Sequence, residues 1–392
     1  TWNMPSQIQE NWEAYQDKDL GGQTMNMFGY GDGGSGCTEE MIEMMHRFDK
    51  LSIMPKCEHI SGKEFLEKNL KDNKSLACWD GELYLEMHRG TFTTKSDLKA
   101  MNRRLEYKFR AAEMVSLMRN EDNTERIRNA YKKLLINQFH DILPGSHIHP
   151  VFTDAMADYR EIEKELDEII GTGSKYFNTL NFRRESITFV PNKKGTATRK
   201  GEKGNWIVPD MKPLSSASLR SVRFKGEWLR DGEVVETPYY KVKFNPDGSI
   251  SSLYDKQLKR EWVKGDFNTL RLYSDTPGNY DAWDILPNYK DKQIPYEVSE
   301  PLTLTELDGE SASFTCTLKT EKSTWKRTIR LFRQYKGIET ENDVDWNEKH
   351  VLAKASFSPD VLTRKVVCDT SAGYIERETH RNTTWQQARF EC

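Results

Sequence analysis

The side chains best suited to chemistry sit where a long helix must stop. His140 and Asp141 stand side by side within Asn137-Gln138-Phe139-His140-Asp141-Ile142-Leu143-Pro144-Gly145-Ser146. An imidazole next to a carboxylate suits a metal ligand paired with an acid that grips a substrate, and a helix end fixes two neighbouring side chains better than a free loop does. The plainer reading is a cap, because a histidine at a helix C-terminus satisfies loose carbonyls and is favoured there as a cation. His147-Ile148-His149 adds two imidazoles that an extended segment would point to one side. It is a rival metal site with no evident third ligand.

Three other stretches carry usable groups. Gly29-Tyr30-Gly31-Asp32-Gly33-Gly34 matches the glycine pattern of dinucleotide-binding loops. Asp32 argues against that use, since a carboxylate inside the loop repels a pyrophosphate, and the segment before it, Met25–Phe28, is a short and poorly apolar strand. The pattern also fits a turn that needs positive φ, or small residues that clear space for Asp32 to face a bulky ligand. His88-Arg89-Gly90 follows a strand signal and precedes a helix, a common place for active-site loops and equally for ordinary surface loops. Asn279-Tyr280-Asp281-Ala282-Trp283-Asp284 sets polar groups around two aromatics. Such a cluster can hold a sugar, rings under its C–H face and carboxylates on its hydroxyls, although aromatics more often fill cores.

Apolar spacing predicts the elements that position these groups. Residues 1–92 mix helix and strand signals and read as the tail of an α/β domain. Thr38 is an expected N-cap before Glu39, Glu40 and the stripe Met41, Ile42, Met45, Phe48. Ser61 and Glu64 form a capping-box pattern, and Leu76, Trp79, Leu83 and Leu85 read as strand around Asp80-Gly81. Residues 95–170 read as three amphipathic helices. The first shows Leu98, Met101, Leu105, Phe109 and Ala112 on one face. The second carries Ile127, Tyr131, Leu134 and Leu135 and ends at His140, because Pro144 and Gly145 cannot continue it; the third runs from about Asp154 to Ile170. After the linker Gly171–Ser174 the period becomes two. Strands are expected at Lys241–Phe244, Ser249–Tyr254, Leu302–Leu307, Ser313–Leu318, Trp325–Phe332 and Ile338–Trp346, as in a large antiparallel β-sandwich domain. The expected fold class is therefore multidomain α+β, with an α/β part over 1–94, a three-helix bundle over 95–172 and a β-sandwich domain over 173–392.

Composition narrows the partners. The 392 residues are 36% hydrophobic, and 58 basic residues against 61 acidic ones leave a net charge of −3 with no block of one sign. Nucleic acid and anionic membrane are poor partners for such a surface, and no membrane span or signal peptide is evident. The six cysteines are scattered without a Cys-x-x-Cys pair and read as reduced thiols in a cytoplasmic protein. A homo-oligomer stays open. The chain starts at Thr1 and stops just after Trp385–Phe390, which reads as an unfinished strand, so a piece of a longer polypeptide is expected.

Several segments together resemble the α-mannosidases of glycoside hydrolase family 38, of the bacterial and cytosolic type. They are Phe28–Gly34, Trp79–Thr91, Asn102-Arg103-Arg104-Leu105-Glu106, Asn137–Gly145, Tyr280–Asp284 and Thr379–Trp385, in family order over almost the whole chain. His147 departs from the serine expected there. The resemblance implies an α/β catalytic domain, a three-helix bundle and β-sandwich domains, a zinc ion that binds two mannose hydroxyls, and retaining hydrolysis of α-mannosidic bonds in mannose-containing oligosaccharides. By this resemblance His140 matches the zinc-ligand histidine and Asp141 the neighbouring acid that contacts sugar. Asp32 falls near the family's general acid, and His88 and Arg89 fall where the pocket is lined. The family's His-x-Asp zinc ligands and its nucleophilic aspartate have no match here. The chain is thus expected to lack the N-terminal catalytic segment and the C-terminal end, with the remaining zinc ligands outside it, and to be inactive alone. Two rival readings remain: a non-catalytic carbohydrate-binding module on the same fold, and a nucleotide-binding oxidoreductase, which would need NAD binding that charge reversal at Asp32 strengthens.

Overall fold

The computed structural model describes residues 2–48, 50–72, 87–173, 175–218, 226–370, 373–380 and 382. The chain divides into two compact units, Thr1–Leu83 and Tyr84–Cys392.

The described part of the first unit holds helices α1 (Pro5–Ala14), α2 (Lys18–Gly21), α3 (Glu39–Phe48) and α4 (Gly62–Asp72). Thr38 caps α3 through its hydroxyl, which accepts from the Met41 N–H at 3.3 Å, and Met41 and Phe48 are the stripe residues that become buried. Ser61 and Glu64 bond reciprocally at the start of α4, the Ser61 N–H to Glu64 at 2.8 Å and the Glu64 N–H to the Ser61 hydroxyl at 3.2 Å. The buried Asn3 side chain donates to the Met41 carbonyl at 2.6 Å. Met25–Phe28 is irregular chain, not a strand, so the strand that a dinucleotide-binding loop needs in front of it is absent. The strand expected over 76–85 lies outside the described residues.

The second unit opens with α5 (Ser96–Arg119), α6 (Thr124–Asn137) and α7 (His149–Ile170). Their inward faces share one core that includes Leu98, Leu105, Phe109, Leu134, Ile162 and Leu166. Tyr131 and Leu135, expected on the inner stripe of α6, are exposed. The α6 helix also ends before His140. The Gln138 N–H already reaches back to Leu135 as well as Leu134, and the Phe139 N–H bonds Ile136, so the chain tightens into three-residue turns two positions earlier. Pro144 and Gly145 mark the latest possible end, not the actual one. The α7 helix begins ahead of Asp154 because Pro150 is tolerated in a first turn, where its missing N–H costs nothing.

Among the described residues beyond Gly171 every strand pairing is antiparallel. Tyr240–Phe244 and Ile250–Asp255 form the expected hairpin within a four-stranded sheet. Its turn needs Gly248, whose φ is +76° and where a Cβ would lie 2.9 Å from the Arg327 side chain. A second four-stranded sheet runs Glu297–Leu307, Ser311–Lys319, Thr324–Phe332, Glu339–Asp345 in sequence order. Its second strand is buried at almost every position, because both faces are covered. A three-stranded sheet joins Gln293–Ile294, Val263–Ser274 and Val351–Pro359. Between these layers Arg327 is buried and donates to the carbonyls of Asn268 at 2.8 Å and Asp247 at 3.2 Å. The Trp385–Phe390 strand expectation lies outside the described residues. Among the described residues Cys37 and Cys316 are free thiols, and no helix is long and apolar enough to cross a membrane.

Candidate functional site

Three segments far apart in sequence meet in the second unit. The first is the loop from His88 to Thr94, which enters a 3-10 turn at Arg89–Phe92. His88 holds a left-handed backbone, φ +60°, unusual for a residue with a Cβ and sustained only by firm partners. The second segment, Tyr280–Asp284, supplies them. The His88 N–H donates to Asp284 Oδ1 at 2.7 Å, the Gly90 N–H donates to the Trp283 carbonyl at 2.6 Å, and the Thr94 hydroxyl donates to the Ala282 carbonyl at 2.8 Å. Gly90 has to be glycine, since a Cβ would stand 2.8 Å from the Trp283 oxygen.

This contact assembles an aromatic wall. The His88 ring meets Trp283 edge-on with centroids 5.0 Å apart, and Trp283 stacks on Tyr280 at 5.5 Å. Tyr280 stays 68% exposed, so one aromatic face is open to a ligand. Asp281 reaches towards His350, 4.0 Å away. Arg89 is buried beside this wall in sequence and in the same turn.

The third segment is the turn after α6. His140 and Asp141 are both exposed and their nearest polar atoms lie 3.5 Å apart, a loose pair that solvent screens. The turn beneath them is held from inside. The Gln138 side chain donates to Asn102 Oδ1 at 3.2 Å and to Glu106 Oε1 at 3.3 Å, and the buried Tyr159 hydroxyl donates to the same Asn102 oxygen at 3.3 Å. Burial pushes the Tyr159 hydroxyl up to about 12, so it remains a donor at any ordinary pH. Asn137 donates to Asp158 at 3.0 Å. Gly145, at φ +91°, lets the turn approach Thr94 so closely that a Cβ would lie 2.7 Å from the Thr94 oxygen.

Asp32 belongs to the first unit. It is exposed within the 3-10 turn Gly31–Gly33, between glycines of positive φ at Gly31 and Gly34. The structure therefore brings His88 together with Tyr280, Trp283 and Asp284, and His140 together with Asp141. The His147 ring bonds the Ile142 carbonyl at 3.0 Å through Nδ1, and its buried Nε2 has no hydrogen-bond partner. Among the described residues no three His, Cys, Asp or Glu side chains gather into a metal-binding group. His140 and Asp141 offer two donors where a tetrahedral zinc takes four, or three and a water. The described residues do not by themselves fit a zinc site.

Comparison with known proteins accounts for the spread of these segments. The model of the glycosyl hydrolases family 38 N-terminal domain matches residues 2–82, that of the alpha mannosidase middle domain matches 86–176, and that of the family 38 C-terminal domain matches 235–392. The chain belongs to glycoside hydrolase family 38. This family 38 chain is 25% identical over 404 residues to Alpha-mannosidase 2C1 of Homo sapiens, a match that covers 96% of the chain and 39% of that protein. It is 24% identical over 479 residues to Alpha-mannosidase G of Dictyostelium discoideum, covering 43% of it. The chain thus spans about two fifths of the length of the curated relatives it matches. The crystal structure of an alpha-mannosidase from Enterococcus faecalis V583 shares the fold, with a TM-score of 0.66 at 13% identity over 90% of this chain and 53% of that one.

Sequence reasoning missed Lys99, Thr94 and Gly145. Lys99 donates to the carbonyls of Thr94, Leu143 at 2.9 Å and Pro144 at 3.1 Å. Desolvation pushes its ammonium down to about 8 against the pull of Asp97, so it is still mostly charged at neutral pH. A lysine in an amphipathic helix gives no sign in the sequence that its partners are carbonyls. Gly145 did give one, read only as a helix stop.

Proposed function

We propose that this family 38 chain is part of an α-mannosidase that hydrolyses α-mannosidic bonds in glycans or oligomannosides with retention of configuration. The relatives that bear the name alpha-mannosidase support the substrate class. The observation that carries the reading is the junction of the His88 loop with Tyr280–Asp284, where an open aromatic face stands beside a carboxylate and an imidazole. A hexose offers an apolar C–H face and a rim of hydroxyls, and that wall matches both. His88 and Arg89 line the sugar pocket and Asp141 accepts from sugar hydroxyls. Asp32 protonates the leaving oxygen in the first step and, by reversibility, activates water in the second. The attacking carboxylate has no candidate here. His140 serves as one ligand of a zinc ion whose remaining ligands lie outside this chain.

The domain division proposed is 1–94, 95–172 and 173–392, with a three-helix bundle followed by a β-sandwich, in a cytoplasmic protein. Alone, the chain neither holds zinc tightly nor turns over mannosides.

The experiment supplies the chain with a polypeptide carrying the rest of the family 38 N-terminal domain and titrates zinc, with an aryl α-mannoside as substrate. Zinc-dependent hydrolysis is the expected result. Sugar binding without turnover would replace this reading by the non-catalytic carbohydrate-binding module.

A further inference from the structure

Lys99 leaves the first turn of α5 and commits its donors to main-chain carbonyls alone. One belongs to Thr94, in the loop that carries His88 and Arg89. The other two belong to Leu143 and Pro144, in the turn that carries His140 and Asp141. Among the described residues no carboxylate pairs with it. An ammonium has three N–H groups, and here they bond three oxygens from two separate segments.

The surroundings make this arrangement specific. Gly145 lets the two stretches of backbone meet at Thr94, which draws their carbonyl oxygens to one side. Without a cation those oxygens would face one another with no donor between them. Thr94 in turn bonds Ala282 through its hydroxyl, so the connection reaches the aromatic segment as well. A guanidinium is wider and planar and would not meet three oxygens in this way.

We propose that Lys99 is a positioning residue that fixes the His140–Asp141 turn against the His88–Arg89 loop, so that one side chain touching no substrate sets the spacing of both halves of the site. Its functional consequence rests on the mannoside reading. The positioning itself does not.

The test follows backbone amide signals of the whole 15N-labelled chain by NMR. Gly90 and Thr94 report the loop, and Ile142 and Gly145 report the turn. The variants are Lys99→Met, which keeps the stem and removes the donors, and Lys99→Arg, which keeps a cation of different shape. Lys99→Met should shift both sets of amides while the helical circular dichroism stays unchanged, and Lys99→Arg should return part of the shift. Methyl α-mannoside affinity should fall about tenfold in Lys99→Met and recover in part in Lys99→Arg. Changes confined to α5, or to only one of the two segments, would overturn the proposal. If Lys99→Met does not fold, Lys99→Arg is read in its place, and unmoved amides in both segments would overturn it. If the unmodified chain shows no mannoside binding, the sugar reading loses its support while the paired amide shifts still decide the role of Lys99.

Discussion

The His88 main-chain N–H donates to the Asp284 carboxylate across 196 positions of sequence, at 2.7 Å. A hydrogen bond to a charged acceptor is stronger than a neutral one, and this one holds a left-handed backbone that few residues with a Cβ adopt. Replacing Asp284 by alanine should destabilise the second unit by about 1–3 kcal/mol. Chemical denaturation of the variant checks the figure, and an unchanged midpoint would show that the loop keeps its shape without the carboxylate.

Two glycines at this junction should resist any side chain. Gly90→Ala places a Cβ 2.8 Å from the Trp283 oxygen and Gly145→Ala places one 2.7 Å from the Thr94 oxygen. Both neighbours are backbone and cannot swing aside, and Gly145 adds the strain of φ +91°. Each substitution should cost about 1–3 kcal/mol, read as a lower melting temperature. Gly36→Ala meets nothing within 4 Å and should leave the melting temperature nearly unchanged.

His140 separates stability from function. Its ring is exposed and makes only the loose Asp141 contact and a ring contact with Phe139 at 4.1 Å. His140→Ala should therefore change stability by less than about 0.5 kcal/mol. Under the proposed function it should abolish zinc-dependent mannoside hydrolysis in the reconstituted enzyme. A large loss of stability in this variant would mean that the histidine is a helix-end cap and no more.

Glu310 predicts a pH effect of unusual sign. Burial, and after it the neighbouring Asp308, pushes its carboxyl up from 4.5 to about 7, and its buried Oε1 has no hydrogen-bond partner. The folded chain therefore keeps a proton that the unfolded chain gives up. The stabilisation this provides is complete below pH 4.5 and falls away as pH rises through 7. Unfolding midpoints measured from pH 4.5 to 8 should decline less in Glu310→Gln than in the unmodified chain.

The legible parts of this chain were those in which one short stretch decides its own structure. Thr38, Ser61 and Glu64 cap the helices they were expected to cap, because a cap needs only four consecutive positions. The hairpin around Asn245–Gly248 was equally plain. The end of α6 was not legible, because Pro144 and Gly145 only forbid the helix to go further, whereas it tightens earlier, at Gln138 and Phe139. The site was legible in pieces only. His88 and the Tyr280–Asp284 cluster were each visible, but nothing in either announces the other, since their pairing depends on how the β sheets fold back. Lys99 was hidden for the same reason, its partners being oxygens that every residue possesses.

The strand Ser311–Lys319 has almost no outside. Strands with one wet face keep their alignment because a slip by one residue would turn polar groups inward; this strand has little such protection. Its alignment falls to the bends at its two ends. Asp308 accepts from the Glu310 and Ser311 N–H groups at 2.7 and 2.8 Å, and Glu348 accepts from the Thr320 hydroxyl at 2.5 Å and the Lys322 N–H at 3.2 Å. Insertions or deletions there would yield a misthreaded sheet that still collapses, a quieter failure than outright unfolding and harder for a cell to notice.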